Sequence, residues 1–150
     1  MKRIILANDH AGTLLKNEAE HLLANRGLAV KNMGVNNDES IDYPDIFLKA
    51  SEELVRDKDA IGIFICGTGI GACVTTNKVK SLHCALVHNG FTARMAKEHN
   101  HCRVIALGAR IVNKEILAEI LEAYLDASEM GGRHTRRVEK IYKFEQNRDN

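Results

Sequence analysis

The chain has 150 residues, 45% hydrophobic and 27% charged, with a formal net charge of +1. That length suits one domain able to bury roughly two thirds of its unfolded surface, and so small a charge gives no general reason to expect nucleic acid or membrane as a partner. No apolar run approaches the roughly 20 residues that cross a bilayer.

The basic start, Met1-Lys2-Arg3, leads into Ile4-Ile5-Leu6-Ala7 and stops at Asn8-Asp9-His10. This is too short for the apolar region of a leader peptide and reads as a strand over 3–7. A helix follows over 14–25, with Leu14, Leu15, Leu22 and Leu23 as its expected buried stripe and Gly27 at its C′ position. Residues 28–33 form a second strand. The chain is polar and irregular from 34 to 43, and its single proline, Pro44, opens a helix to about residue 57. Proline suits the first turn because its missing N–H has no partner there. Ile61-Gly62-Ile63-Phe64-Ile65 is continuous, apolar and rich in β-branched residues, the pattern of a buried parallel strand, and it carries Cys66 to its end. Gly67-Thr68-Gly69-Ile70-Gly71 then leads into a helix over 71–78. A strand at 83–87, a helix at 91–99, a strand at 103–107 and a helix at 113–127 continue the alternation. Gly131-Gly132 precedes a last helix over 133–147. The alternation predicts a single-domain three-layer α/β/α sandwich, Rossmann-like and doubly wound, with a five-stranded parallel sheet and a C-terminal helix.

Ligands of such sheets sit at the carboxyl ends of the strands. Asp9 and His10, Cys66 to Gly71, His88 and Asn89, and Gly108 to Arg110 all fall there. The glycine loop is neither a P-loop nor GxGxxG, since its glycines stand at 67, 69 and 71. Successive backbone N–H groups at a helix start can still hold a negative oxygen, and they favour the thiolate of a neighbouring cysteine. The four cysteines, Cys66, Cys73, Cys84 and Cys102, form no CxxC pair; with no disulfide framework, the cytoplasm is the expected compartment. His99-Asn100-His101-Cys102 fits no common zinc spacing, so His99 is read as an acid/base candidate and no metal is expected. From Gly131 to Asn150 there are six Lys or Arg against three Asp or Glu. Arg133 and Arg137, four apart, share a helix face suited to a phosphate dianion, although a solvated face would look the same.

Asn8-Asp9-His10-Ala11-Gly12, Asp42-Tyr43-Pro44, Ile65-Cys66-Gly67-Thr68-Gly69-Ile70-Gly71, Asn77-Lys78, His99-Asn100, Leu107-Gly108-Ala109-Arg110 and Gly131-Gly132-Arg133-His134 stand in that order along nearly the whole chain. In this combination the sequence resembles the ribose-5-phosphate isomerase B family, which also holds galactose-6-phosphate isomerase subunits. The resemblance implies a metal-independent, cofactor-free interconversion of ribose 5-phosphate and ribulose 5-phosphate through a cis-enediolate in the pentose phosphate pathway. It makes Cys66 the base, with Thr68 and the N–H groups of Gly69, Ile70 and Gly71 stabilising the enediolate oxygens beside Gly67. It assigns ring opening to His99 with help from Asp9, sugar contacts to Tyr43 and Asn100, and the phosphate to His10, Arg110, Arg133 and Arg137. Some members use a glutamate after the last loop glycine; Ala72 stands there, consistent with Cys66 as base. The resemblance also implies a homodimer or a tetramer with a site shared between subunits. Ser81-Leu82-His83 and His101 depart from the family pattern and leave open a six-carbon substrate such as allose 6-phosphate. Two other functions draw on the same residues: a phosphosugar sensor that binds without catalysis, and a thiol redox protein, for which Cys73 would have to act as resolving thiol.

Overall fold

The computed structural model describes residues 2–148. Five strands, β1 (Arg3–Asn8), β2 (Ala29–Asn32), β3 (Ala60–Cys66), β4 (Cys84–Leu86) and β5 (Val104–Gly108), alternate with six helices. These are α1 (Thr13–Asn25), α2 (Tyr43–Arg56), α3 (Ile70–Thr76), α4 (Gly90–Glu98), α5 (Lys114–Asp126) and α6 (Arg133–Arg148), with a 3₁₀ turn at His10–Gly12 ahead of α1. The sheet runs β2-β1-β3-β5-β4 with every pair parallel. The expected sandwich is therefore present, with each boundary within two residues of its predicted place.

Every residue of β3 is buried, as its unbroken apolar run requires. Alternation along the strands divides the core in two. Ile4, Leu6, Ile63, Ile65, Ile105 and Leu107 pack with residues of α1, α4 and α5. Ile5, Phe64, Cys66 and Ala106 pack with Phe47, Ala50 and Leu54 of α2 and Ala72 of α3. Phe47 and Phe64 stack at 5.4 Å. The sulfur of Cys66 thus lies on the α2–α3 side, under the start of α3.

Helix α1 corrects one expectation. Leu14 is 82% exposed, while Leu15, Ala19 and Leu23 are buried together with Lys16, which is only 1% exposed. Its Nζ donates to Asn36 Oδ1 at 2.7 Å, supplying the partner that a buried ammonium needs. That bond also ties down the irregular segment over 33–42. Asn8 Nδ2 donates to Val35 O, Thr13 Oγ1 donates to Asn37 O, and Ile41 N donates to His10 Nδ1.

The exposed edge of β4 is covered by a side chain. Asn77 Oδ1 accepts from Cys84 N at 3.0 Å, and Asn77 Nδ2 donates to Cys84 O at 2.9 Å. The amide acts as a one-residue neighbouring strand.

Candidate functional site

The chain leaves β1 toward β2 on one side and reaches β3 on the other, so the winding reverses between β1 and β3. Ligand crevices of doubly wound sheets form at such a reversal, beyond the carboxyl ends. Asn8 pairs with Ile65 and Cys66 with Gly108 in the register of β1, β3 and β5, so three loops start side by side there.

The loop after β3 is built by its glycines. Gly69 adopts φ 78 and caps α3, and its N–H donates to Cys66 Sγ at 3.1 Å. Cys66 is 4% exposed, so this backbone N–H is directed at a sulfur that is almost wholly enclosed. Thr68 Oγ1 accepts from Ile70 N at 3.2 Å. A Cβ on Gly67 would lie 2.9 Å from the Arg110 guanidinium, and one on Gly71 would lie 2.8 Å from the Tyr43 ring. Arg110 and Tyr43 therefore pack directly against the loop, and Arg110 N also donates to Gly67 O at 3.0 Å. From β1, Asp9 N donates to Ile65 O and Asp9 Oδ1 caps the 3₁₀ turn by accepting from Ala11 N at 3.0 Å. His10 Nδ1 is occupied as an acceptor for Ile41 N, which leaves Nε2 to carry the proton of the neutral ring. Asp9, His10, Tyr43, Cys66, Gly67, Thr68, Gly69, Ile70, Gly71 and Arg110 thus gather at one edge. His88 lies at the same edge, whereas Asn89 is used as a cap, accepting from Thr92 N in a capping box with that residue.

His99, Asn100, Arg133 and Arg137 gather at the opposite edge. Helix α4 carries the chain back from the carboxyl end of β4, and His99 caps its C-terminus. Arg103, just ahead of β5, donates to the carbonyls of Leu54, Asp57 and Ala60 at the amino end of β3. The seven residues of β3 at about 3.3 Å each separate the two edges by roughly 20 Å. At the amino edge the His99 and His134 rings stack at 4.1 Å and 11°, with Arg133 and Arg137 exposed on the same first turns of α6. The resemblance implies a site shared between subunits without dividing its residues; within one chain the phosphate and sugar groups form two sets.

Burial pushes Cys84 well above the ordinary thiol value and Cys102 up to about 12, so both behave as small hydrophobes. Cys73 is drawn down to about 7 by a hydrogen bond with the Cys84 thiol, helped by the Leu86 backbone and the Asn77 amide. Among the described residues no group of three or more His, Cys, Asp or Glu side chains is placed to hold a metal ion. No helix among them is long and apolar enough to cross a membrane.

A thiol and a glycine-built loop at the winding reversal of a doubly wound sheet place the ligand crevice of an α/β protein at this carboxyl edge. Residues 4–141 match the Ribose/Galactose Isomerase family, and the chain belongs to that family. The structure of ribose-5-phosphate isomerase B from Clostridium thermocellum superposes with a TM-score of 0.93 at 39% identity, covering 97% of this chain and 98% of that one. Ribose-5-phosphate isomerase B from Mycoplasma genitalium, with bound ribulose-5-phosphate, gives a TM-score of 0.92 at 36% identity, covering 97% of each chain. D-erythrulose-4-phosphate isomerase of Pectobacterium atrosepticum is 37% identical over 146 residues, which is 97% of this chain and 96% of the relative.

Proposed function

We propose that this protein is a cytoplasmic ribose-5-phosphate isomerase of the pentose phosphate pathway. The furanose opens first: the C1–O4 bond breaks, O4 gains a proton and the anomeric hydroxyl loses one, leaving an aldehyde. The Cys66 thiolate then removes the C2 proton. The resulting cis-enediolate lies with its oxygens on Thr68 and the N–H groups of Gly69, Ile70 and Gly71. Cys66 returns the proton to C1 while the hydroxyl proton passes from O2 to O1, and the ketose is complete. The observation that carries this reading is the Gly69 N–H directed at the buried Cys66 sulfur inside an anion cradle, in a chain of this family. No step draws on a metal or cofactor, and turnover in the presence of EDTA tests that.

Cys66→Ala should lower turnover by about 10²–10⁴-fold, the range of a general base, while ribose 5-phosphate still binds. Near-normal turnover by this variant would remove Cys66 as the base. Comparing ketose formation from ribose 5-phosphate, allose 6-phosphate and erythrose 4-phosphate assigns the sugar.

The two-edge arrangement supports a shared site. His99, Asn100, Arg133 and Arg137 of one copy serve the Cys66 crevice of a second, where Arg133 and Arg137 join His10 and Arg110 on the phosphate. Exposed apolar side chains on α3 (Ile70, Val74) and α6 (Ile141, Phe144) offer surface for such a contact. Complementation tests this directly. Cys66→Ala and His99→Asn, each inactive alone, should regain about a quarter of wild-type activity after refolding as an equal mixture, because half the dimers then hold one intact site. No recovery would show that each chain works by itself.

A further inference from the structure

His134 has no role in the mechanism above, yet it is 6% exposed on a helix whose other buried residue is Val138, one turn on. Its position is set from both sides. Met130 N donates to Glu98 O at 2.9 Å, and His101 Nε2 lies 2.8 Å from Met130 O. Two hydrogen bonds thus lace the segment before α6 to the C-terminal end of α4. Gly132, with φ 65, then turns the chain into α6 and sets the His134 ring flat against that of His99, with centroids 4.1 Å apart and planes at 11°. The contact is face to face rather than through a ring nitrogen, and His134 Nε2 is buried with no hydrogen-bond partner. Burial first, then His99, Arg133, Arg137 and His101, hold His134 below the usual imidazole range. An uncharged plate can lie on a second imidazole without the repulsion that two imidazolium rings would feel.

We propose that His134 is the positioning residue for His99. The stacked plate fixes the plane in which His99 presents its nitrogens, so the ring-opening proton arrives at O4 without a search through rotamers. A side chain at a helix terminus otherwise samples several χ1 and χ2 wells, and a misplaced acid loses much of the benefit of orientation. The inference rests on the reading of His99 as the ring-opening group.

Ring opening can be separated from proton transfer because ribulose 5-phosphate cannot form a furanose: the oxygen that would close the ring carries the phosphate. Enzyme in D₂O exchanges the C1 proton of ribulose 5-phosphate through the enediolate alone, whereas conversion of ribose 5-phosphate also needs the ring opened. Both rates are measured by NMR for wild type, His99→Asn, His134→Ala and His134→Phe. His134→Ala should lower ribose conversion on the order of tenfold to a hundredfold and exchange much less, so the exchange-to-conversion ratio rises. His134→Phe keeps the plate and should restore the wild-type ratio. A ratio unmoved in His134→Ala overturns the proposal and leaves His134 a structural role only. A phenylalanine variant that behaves like the alanine one also overturns it, by showing that a ring nitrogen matters rather than the plate. If His99→Asn itself leaves the ratio unmoved, the assignment of ring opening to His99 falls, and the positioning role with it; His134 fails by itself only where His99→Asn moves the ratio and His134→Ala does not.

Discussion

Replacing Gly69 with alanine should cost about 2–5 kcal/mol of stability and most of the activity. Two separable costs make up that figure. At φ 78 a residue with a Cβ pays about 1–2 kcal/mol for the left-handed backbone. The new Cβ would also lie 2.6 Å from Leu86 Cδ1, 2.8 Å from the Leu107 carbonyl carbon and 3.1 Å from Gly108 N. Leu86 can rotate away, but the other two atoms are strand backbone, so overpacking adds about 1–3 kcal/mol. Gly132 isolates the first cost, since it has φ 65 and nothing within 4 Å of an added Cβ; Gly131 shares the open surroundings without a positive φ. Gly132→Ala should therefore lose about 1–2 kcal/mol and Gly131→Ala no more than about 0.5. Thermal denaturation should place Gly69→Ala roughly 4–20 °C below wild type. Initial rates should fall about 10²-fold even below the melting range, because the N–H that meets Cys66 Sγ is displaced. A Gly69→Ala protein as stable as Gly132→Ala would refute the packing argument, and full activity would refute the role given to that N–H.

Ser81 holds φ 69 at an exposed turn and donates its backbone N–H to Glu145 Oε2 at 3.0 Å. Ser81→Gly keeps that donor and relieves the backbone, so it should raise stability by about 1 kcal/mol; a lower melting temperature would count against this. His83 and His134 both lie below the usual 6.5, chiefly through burial. The unfolded chain therefore binds their protons more tightly, and stability should be full above pH 6.5 and fall as the pH drops below it. Urea midpoints at pH 7.5, 6 and 5 check the slope, which His134→Phe should flatten.

Much of the fold was readable because the signals are local and strong. The run ending in Cys66 has the length and β-branched content of a doubly buried strand, and Gly67 and Gly69 break it before Gly71 enters the first turn of α3. The positions of Asp9, the glycine loop and Arg110 just past the ends of β1, β3 and β5 put them at one edge of any parallel sheet built from those strands. The failures have physical causes. The 3₁₀ turn at His10–Gly12 sets the phase of α1, so Leu14 faces water and Lys16 goes inside. No periodicity rule favours a buried lysine; its partner Asn36 comes from a loop whose path is fixed by tertiary hydrogen bonds. In the sequence Asn77 stands out only beside Lys78, and its work as a cover for β4 depends on a strand seven residues away.

The sequence by itself determined the sheet, the thiol at its carboxyl edge and the cradle that follows, because burial pattern and glycine spacing act over a few residues. Only the tertiary structure decided that the candidate site is two clusters. The direction of α4 carries His99 to the far edge, and the lacing of residues 129–132 sets His134 against it. Those placements depend on contacts between segments that no local pattern records.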